Sequence, residues 1–434
     1  MAGERRGPSL PALVAWLGWA VLGIMALSAA VHARSNVPVG QDWPVVPVVT
    51  GHEAEPVHWL WHQDGNDRHP VGRALTLATI AITRDFRAPA VAAVVALMLL
   101  SALLLRASHR VRGRARWADA FFPAILLQPA LDAGLSPSAV LSATVPLLLA
   151  GAILLAVLSD PVLRTRRWSL VTALSMVTLP LTGLAGILVA AAAAPWVAAC
   201  GWRHWPPRDP AVPVDAGPAL LSFIFVAVVV TGMIFSDYDF SGWSDPALDR
   251  GRLVFRTGSA LAGAFGPVAA ERWELVAAVL VGVVLVTSVM LLVAGYRLHD
   301  IERYRALGLA CMLAAGGLAV MMSAWQFAAL LLCVVYYMWE LYGRPMVTVA
   351  LEAGLLAGAL AVIPANSRHA ALQRSDTEAR LGALERDMTA GVPRVELAQR
   401  YWPWLMPEGT VAELSAGMGM VAEAGIGPLG RLKN

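Results

Sequence analysis

The stretch from about His32 to Arg87 concentrates the residues able to do chemistry. Five of the nine histidines fall in it (His32, His52, His58, His62 and His69), with the acids Asp42, Glu53, Glu55, Asp64, Asp67 and Asp85 and the tryptophans Trp43, Trp59 and Trp61. Asp42 stands in the run Gln41-Asp42-Trp43-Pro44. A carboxylate there can take a proton from a hydroxyl while the neighbouring ring packs on a sugar face. A solvated loop acid is the plainer alternative. His58 and His62 are four residues apart, so on a helix they would share a face and could ligate a metal, with Asp64, Asp67 or His69 completing the shell. No HExxH pattern accompanies them. Arg68, His69 and Arg73 offer positive charge to an anionic phosphate. The same stretch also reads as an interfacial anchor, with Trp59 and Trp61 at headgroup level.

Such residues need a scaffold, and the rest of the chain supplies an apolar one. Of 434 residues, 58% are hydrophobic and 15% charged, against roughly 25% charged in soluble domains. Apolar runs of about 18 or more residues recur, each long enough to cross a bilayer core of about 30 Å. They are continuous rather than alternating, which excludes an outer-membrane barrel. The sequence predicts an all-α polytopic membrane protein with about eleven transmembrane helices. Their spans lie near 11–31, 88–105, 118–132, 137–158, 169–183, 184–200, 216–235, 273–295, 306–323, 325–342 and 346–363. Span interiors hold little charge, apart from Asp132 near one end and Glu340 and Glu352 late in the chain.

The net charge of +3 comes from arginines clustered in short loops, which argues against a nucleic-acid partner. Arg5 and Arg6, the group Arg106 to Arg116, then Arg164, Arg166, Arg167, Arg203, Arg208, Arg297, Arg303 and Arg305 mark cytoplasmic ends. The N-terminus is therefore expected inside, and the segments 32–87 and 236–252 outside, across the inner (plasma) membrane. The second of these carries Asp237, Asp239, Asp245 and Asp249. The first apolar run reads as an uncleaved helix, being long for a signal peptide. Cys200, Cys311 and Cys333 lack CxxC spacing and read as packed thiols.

Several elements should be irregular. The run 118–132 is short and contains Pro123 and Pro129; Pro180, Gly183 and Gly186 offer a break in 169–200. Arg256 at the start of 253–270 suggests a surface helix there. Val71 to Arg84 is mildly amphipathic and could roof a cavity. Polar composition from Pro364 divides the chain into a membrane domain, 1–363, and a small helical tail, 364–434. Within the tail, Thr377 to Met388 is rich in helix formers, Pro393 opens a second helix, and Thr410-Val-Ala-Glu413 has capping-box spacing.

The inside N-terminus, the long outward loop with an early acid and the many spans behind it resemble the GT-C superfamily of integral-membrane glycosyltransferases. More narrowly, the start at Asp42-Trp43, the Trp-rich stretch and the cluster Asn66-Asp67-Arg68-His69 are similar to a branch of bacterial GT-C-like proteins. The tail run Asp387 to Tyr401 and Ala424-Gly425-Ile426-Gly427 resemble that branch too. The order of Arg and His in the cluster is reversed relative to it, and Asp42 lacks the acidic neighbour that many GT-C enzymes have. The resemblance implies a sugar donor on a polyprenyl phosphate. Asp42 would then deprotonate the acceptor hydroxyl, with inversion at the anomeric carbon. Arg68, His69 or Arg73 would stabilise the departing phosphate. Glu53, Glu55 or Asp67 would assist or bind a divalent cation, and Trp43, Trp59 and Trp61 would line the substrate site.

Two other classes compete. A transporter would bury charge within its helices and show repeat symmetry. A non-catalytic scaffold, including a degenerate relative of the transferases, would use the loop and tail to bind partners. No P-loop or nucleophile elbow is present.

Overall fold

The computed structural model describes residues 9–32, 36–63, 67–128, 135–203, 216–239, 250–272, 274–298, 300–322 and 326–432. Arg5, Arg6, Asp64, Asn66, Pro129, Asp132, Arg208, Asp245 and Asp249, which the sequence reading invoked, lie outside them. In chain order the helices are α1 Leu10–His32, α2 Val46–Val49, α3 Pro56–Trp61, α4 Pro70–Thr83, α5 Ala88–Arg112, α6 Phe121–Leu126, α7 Pro137–Ser159, α8 Arg166–Thr178, α9 Leu184–Arg203 and α10 Ala216–Phe235. They continue with α11 Arg250–Gly263, α12 Pro267–Arg272, α13 Glu274–Arg297, α14 Asp300–Met321, α15 Gln326–Tyr342, α16 Pro345–Thr389, α17 Arg394–Leu405 and α18 Val411–Glu423. Among the described residues, six helices (α1, α5, α7, α9, α14 and α16) are long and apolar enough to cross a membrane.

Local chemistry accounts for their limits. Pro89 opens α5 and Gly113, at φ 75°, closes it in the left-handed conformation that glycine adopts without strain. Ser136 caps α7 by accepting from the Ala139 amide at 3.3 Å. The break expected in 169–200 falls at a 3-10 turn over Leu179–Thr182 followed by Gly183. The short run before α7 is a 3-10 turn over Trp117–Ala120 and then α6, all six of whose residues are buried.

Two expectations are corrected. The tail does not begin with a new helix: α16 runs 45 residues without interruption from the apolar run into the polar one, carrying Pro364 inside it. A proline removes one backbone donor and crowds the preceding turn, yet the helix on either side is long enough to carry it. The segment 253–270 is not a surface helix either, because Leu261, Ala264, Phe265 and Ala269 are buried in the main core with residues of α14, α15 and α16.

That main core fills the bundle, with Tyr336 and Tyr337 of α15 packed on Phe121 and Phe122 of α6 at ring separations of 4.9–5.8 Å. Cys200, Cys311 and Cys333 are buried free thiols. A second core is separate. It joins Trp43, Val45, Val46, Ile80 and Phe86 to Leu384, Leu397, Tyr401, Leu405, Leu414, Met418 and Val421. The tail thus packs on the 36–86 segment, and the two form one layer over the same end of the bundle. Trp43 anchors it: the ring is 3% exposed, and its Nε1 donates to the Leu405 carbonyl at 2.9 Å. Burying a tryptophan removes roughly 200 Å² from water, about 5 kcal/mol at about 25 cal/mol per Å² as an upper bound. The Thr410 cap forms as expected, the Glu413 amide donating to the threonine hydroxyl at 3.2 Å and the Thr410 amide to the Glu413 carboxylate at 2.8 Å.

Candidate functional site

The 36–86 segment lies across the bundle and spends its charges on the ends of membrane helices. Asp42 is fully buried; Oδ1 accepts from the Ser138 amide of α7 at 3.0 Å and Oδ2 from the Val39 amide at 3.3 Å. Asp67 Oδ1 accepts from the Leu184 amide, the first of α9, and from the Arg68 amide, both at 2.9 Å. Negative carboxylates at helix N-termini meet unpaired amides and the positive end of the helix dipole. Arg68 does the converse at the end of α10, donating from Nη1 to the carbonyls of Ile234 at 3.0 Å and Ser236 at 2.9 Å. Gln63 pairs with both backbone groups of Asp239 nearby, so this segment and the turn after α10 share one end of the molecule.

Gly183 makes the α9 contact possible. At φ 101° its backbone is one that side chains rarely adopt, and a Cβ there would fall 2.4 Å from the Asp67 carboxylate. Gly183→Ala should therefore destabilise the protein by about 1–3 kcal/mol. The thermal midpoint in detergent checks this.

Beside Asp42 lies a small cleft lined by Gln41, Pro44, Val45, Trp59, His69, Arg73, Thr76, Ser138 and Ser142. It has room for little more than a water molecule. Of the residues expected to act together, Trp59, His69 and Arg73 converge on it. Arg73 is 5% exposed; its Nη1 donates to the carbonyls of Trp59 and His62 at 2.6 Å each, and the guanidinium lies 5.2 Å from the Trp59 ring centroid. Arg73 therefore fixes the turn that carries Trp59 as well as contributing charge to the cleft wall.

The other expected residues lie elsewhere. Trp43 faces the tail, Glu53 accepts from the Glu55 amide at 3.1 Å, and Trp61 is half-buried at the end of α3. His58 and His62 are exposed and do not share a helical face, because α3 ends at Trp61 and His62 is extended at ψ 140°. Among the described residues no group of three or more His, Cys, Asp or Glu side chains is arranged to hold a metal ion.

No protein-family model, curated protein or solved structure matches this chain.

At the junction of α1 and α5, Arg87 grips Asp85 with Nε at 3.0 Å and Nη2 at 2.7 Å and donates to the Val31 carbonyl at 3.1 Å. Burial would raise the Asp85 carboxyl, but the hydrogen bonds and charge of Arg87 outweigh it and hold the group below its ordinary value. This pair contributes stability above the usual carboxylate range and loses it as pH falls through the depressed value.

Ser138 and Ser142 were not expected at the site; nothing in their local sequence marks them. A second polar cluster was also missed. It lies at the far end of α5, about 36 Å along that helix at 1.5 Å per residue. Asp119, fully buried, accepts from Ser108 at 2.6 Å, Arg112 at 3.0 and 3.2 Å, the Arg116 amide at 2.8 Å and Tyr336 at 2.9 Å. Arg112 Nε and Arg116 Nη1 each donate to Glu340 at 2.8 Å. The available signal was an acid three residues beyond Arg116, between an arginine-rich loop and an apolar run.

Proposed function

We propose that the chain is a membrane glycosyltransferase of GT-C type, moving a sugar from a polyprenyl-phosphate donor to an acceptor hydroxyl at the cleft beside α7. The observation that supports it is the convergence of Trp59, His69 and Arg73 on that cleft. Arg73 supplies charge for a lipid phosphate, His69 a ring N–H that can donate to it, and Trp59 an apolar ring for a sugar face. A donor enters only once the 36–86 segment lifts from α7, since the closed cleft is small. His69, on the cleft wall, takes the acceptor proton in this reading; Asp42 positions α7.

The arrangement is read as about eleven crossings of a bacterial inner membrane, with the arginine-rich end and the N-terminus in the cytoplasm and the cleft outside. One observation bears on the parity of that count. The tail packs on the same layer as the loop, which requires an odd number of crossings. Membrane lipids are the expected surroundings, and no nucleic acid is involved.

A second reading, a non-catalytic scaffold built on the same plan, is favoured by the burial of Asp42 and its engagement with two amides. Binding of undecaprenyl phosphate to the full chain in nanodiscs separates the two. The transferase reading expects saturable binding that Arg73→Gln weakens about tenfold or more. His69→Gln should weaken it with the melting midpoint unchanged. Absence of binding, or binding indifferent to both substitutions, overturns it.

A further inference from the structure

The cluster at the far end of α5 is short of positive charge. Two guanidiniums, Arg112 and Arg116, face three carboxylates, Asp119, Glu340 and Glu352. Donors are unevenly shared. Asp119 is fully supplied and Glu340 is held by both arginines, each at 2.8 Å. Glu352 of α16 is 1% exposed, and one of its oxygens accepts only from Arg116 Nη1, at 3.2 Å, a nitrogen already given to Glu340. Its other oxygen, Oε1, is buried without a hydrogen-bond partner.

A buried carboxylate left both unneutralised and short of donors is strongly disfavoured. Among the described residues, His109 of α5 also borders the network, but its Nε2 lies 3.3 Å from Asp119, the acid that already has the most donors, and no contact to Glu352 accompanies it. The Tyr336 hydroxyl is likewise spent on Asp119.

We propose that Glu340 and Glu352 together bind one monovalent cation, a proton or an alkali-metal ion, at the Arg116 side of the cluster. The two guanidiniums leave one of the three carboxylate charges unbalanced, which a single monovalent cation supplies. Arg116 is 27% exposed, so this side is reached from the arginine-rich end of the bundle. The site is independent of the cleft and of the transferase reading.

Thermal unfolding of the full chain in detergent, from about pH 6 to about pH 9 in choline chloride and again with sodium or potassium, tests the proposal. With choline alone, the midpoint should fall as pH rises, because the bound proton is lost. Restoration by sodium or potassium at high pH identifies an alkali-metal site; no restoration identifies a proton site. Glu352→Gln replaces the carboxylate with an uncharged carboxamide of the same shape, so its midpoint should lose the dependence and stay at or above the low-pH value of the unaltered protein. His109→Gln, read beside it and in its place if it does not fold, should keep the full dependence; loss of the dependence in that variant overturns the proposal. A midpoint insensitive to pH and to alkali ions, or a Glu352→Gln variant with the full dependence, overturns the proposal.

Discussion

Replacing Arg112 with alanine should cost about 3–5 kcal/mol of stability, the figure expected when one partner of a buried ion pair is removed and the other is left uncompensated. Arg112 is 5% exposed and serves two acids at once. Its Nη atoms hold Asp119 and its Nε holds Glu340, so the substitution strips donors from two buried carboxylates together. It also removes the guanidinium's own contact with the Tyr336 hydroxyl at 3.3 Å, leaving Asp119 to Ser108, the Arg116 amide and Tyr336. The control is Arg380→Ala, which removes an exposed partner of Asp376 four residues away and should cost about 0–1 kcal/mol. Thermal midpoints of both variants in one detergent make the comparison. Equal midpoints would mean that the network is hydrated and that burial of Asp119 does not carry its energetic weight.

Elements set by local chemistry were legible in the sequence, and pairings between distant segments were not. Length and apolar continuity mark α1, α5, α7 and α9 without any tertiary knowledge. The break at Pro180–Gly183 and the Thr410 cap follow from residues within a few positions of each other. By contrast, the amide that Asp42 accepts is 96 residues away, that of Asp67 is 117 away, and the carbonyl that Trp43 serves is 362 away. An acid that caps a distant helix reads locally as a loop acid, because the partner is an anonymous backbone group. The extent of α16 was misread for a different reason. Its polarity changes where the apolar run ends, but its hydrogen bonding continues through Pro364. In the same way Arg112 and Arg116 signal orientation through their charge alone, while their wiring to Glu340 and Glu352 depends on helices packed together from the far end of the chain.

Asp42→Asn should lower stability by about 1–3 kcal/mol, the cost of leaving a buried polar group unsatisfied. Both carboxylate oxygens accept backbone amides, Ser138 on one side and Val39 on the other. Asparagine keeps one acceptor and turns the second into a donor facing an amide N–H, so one of the two contacts becomes repulsive. The adjacent residue sharpens the effect. Trp43 is committed to the tail through Leu405 while Asp42 is committed to α7, so the start of the loop is held from two directions and relaxes little. A general base would behave otherwise: the amide would abolish transfer while the melting midpoint stayed with that of the unaltered protein. Measuring the midpoint and undecaprenyl-phosphate binding on the same preparation separates the roles. A lowered midpoint with binding reduced in proportion identifies Asp42 as a positioning group for α7 and the cleft wall. An unchanged midpoint with unchanged binding and lost turnover returns it to the chemistry, and would require the 36–86 segment to open far enough to free the carboxylate from Ser138.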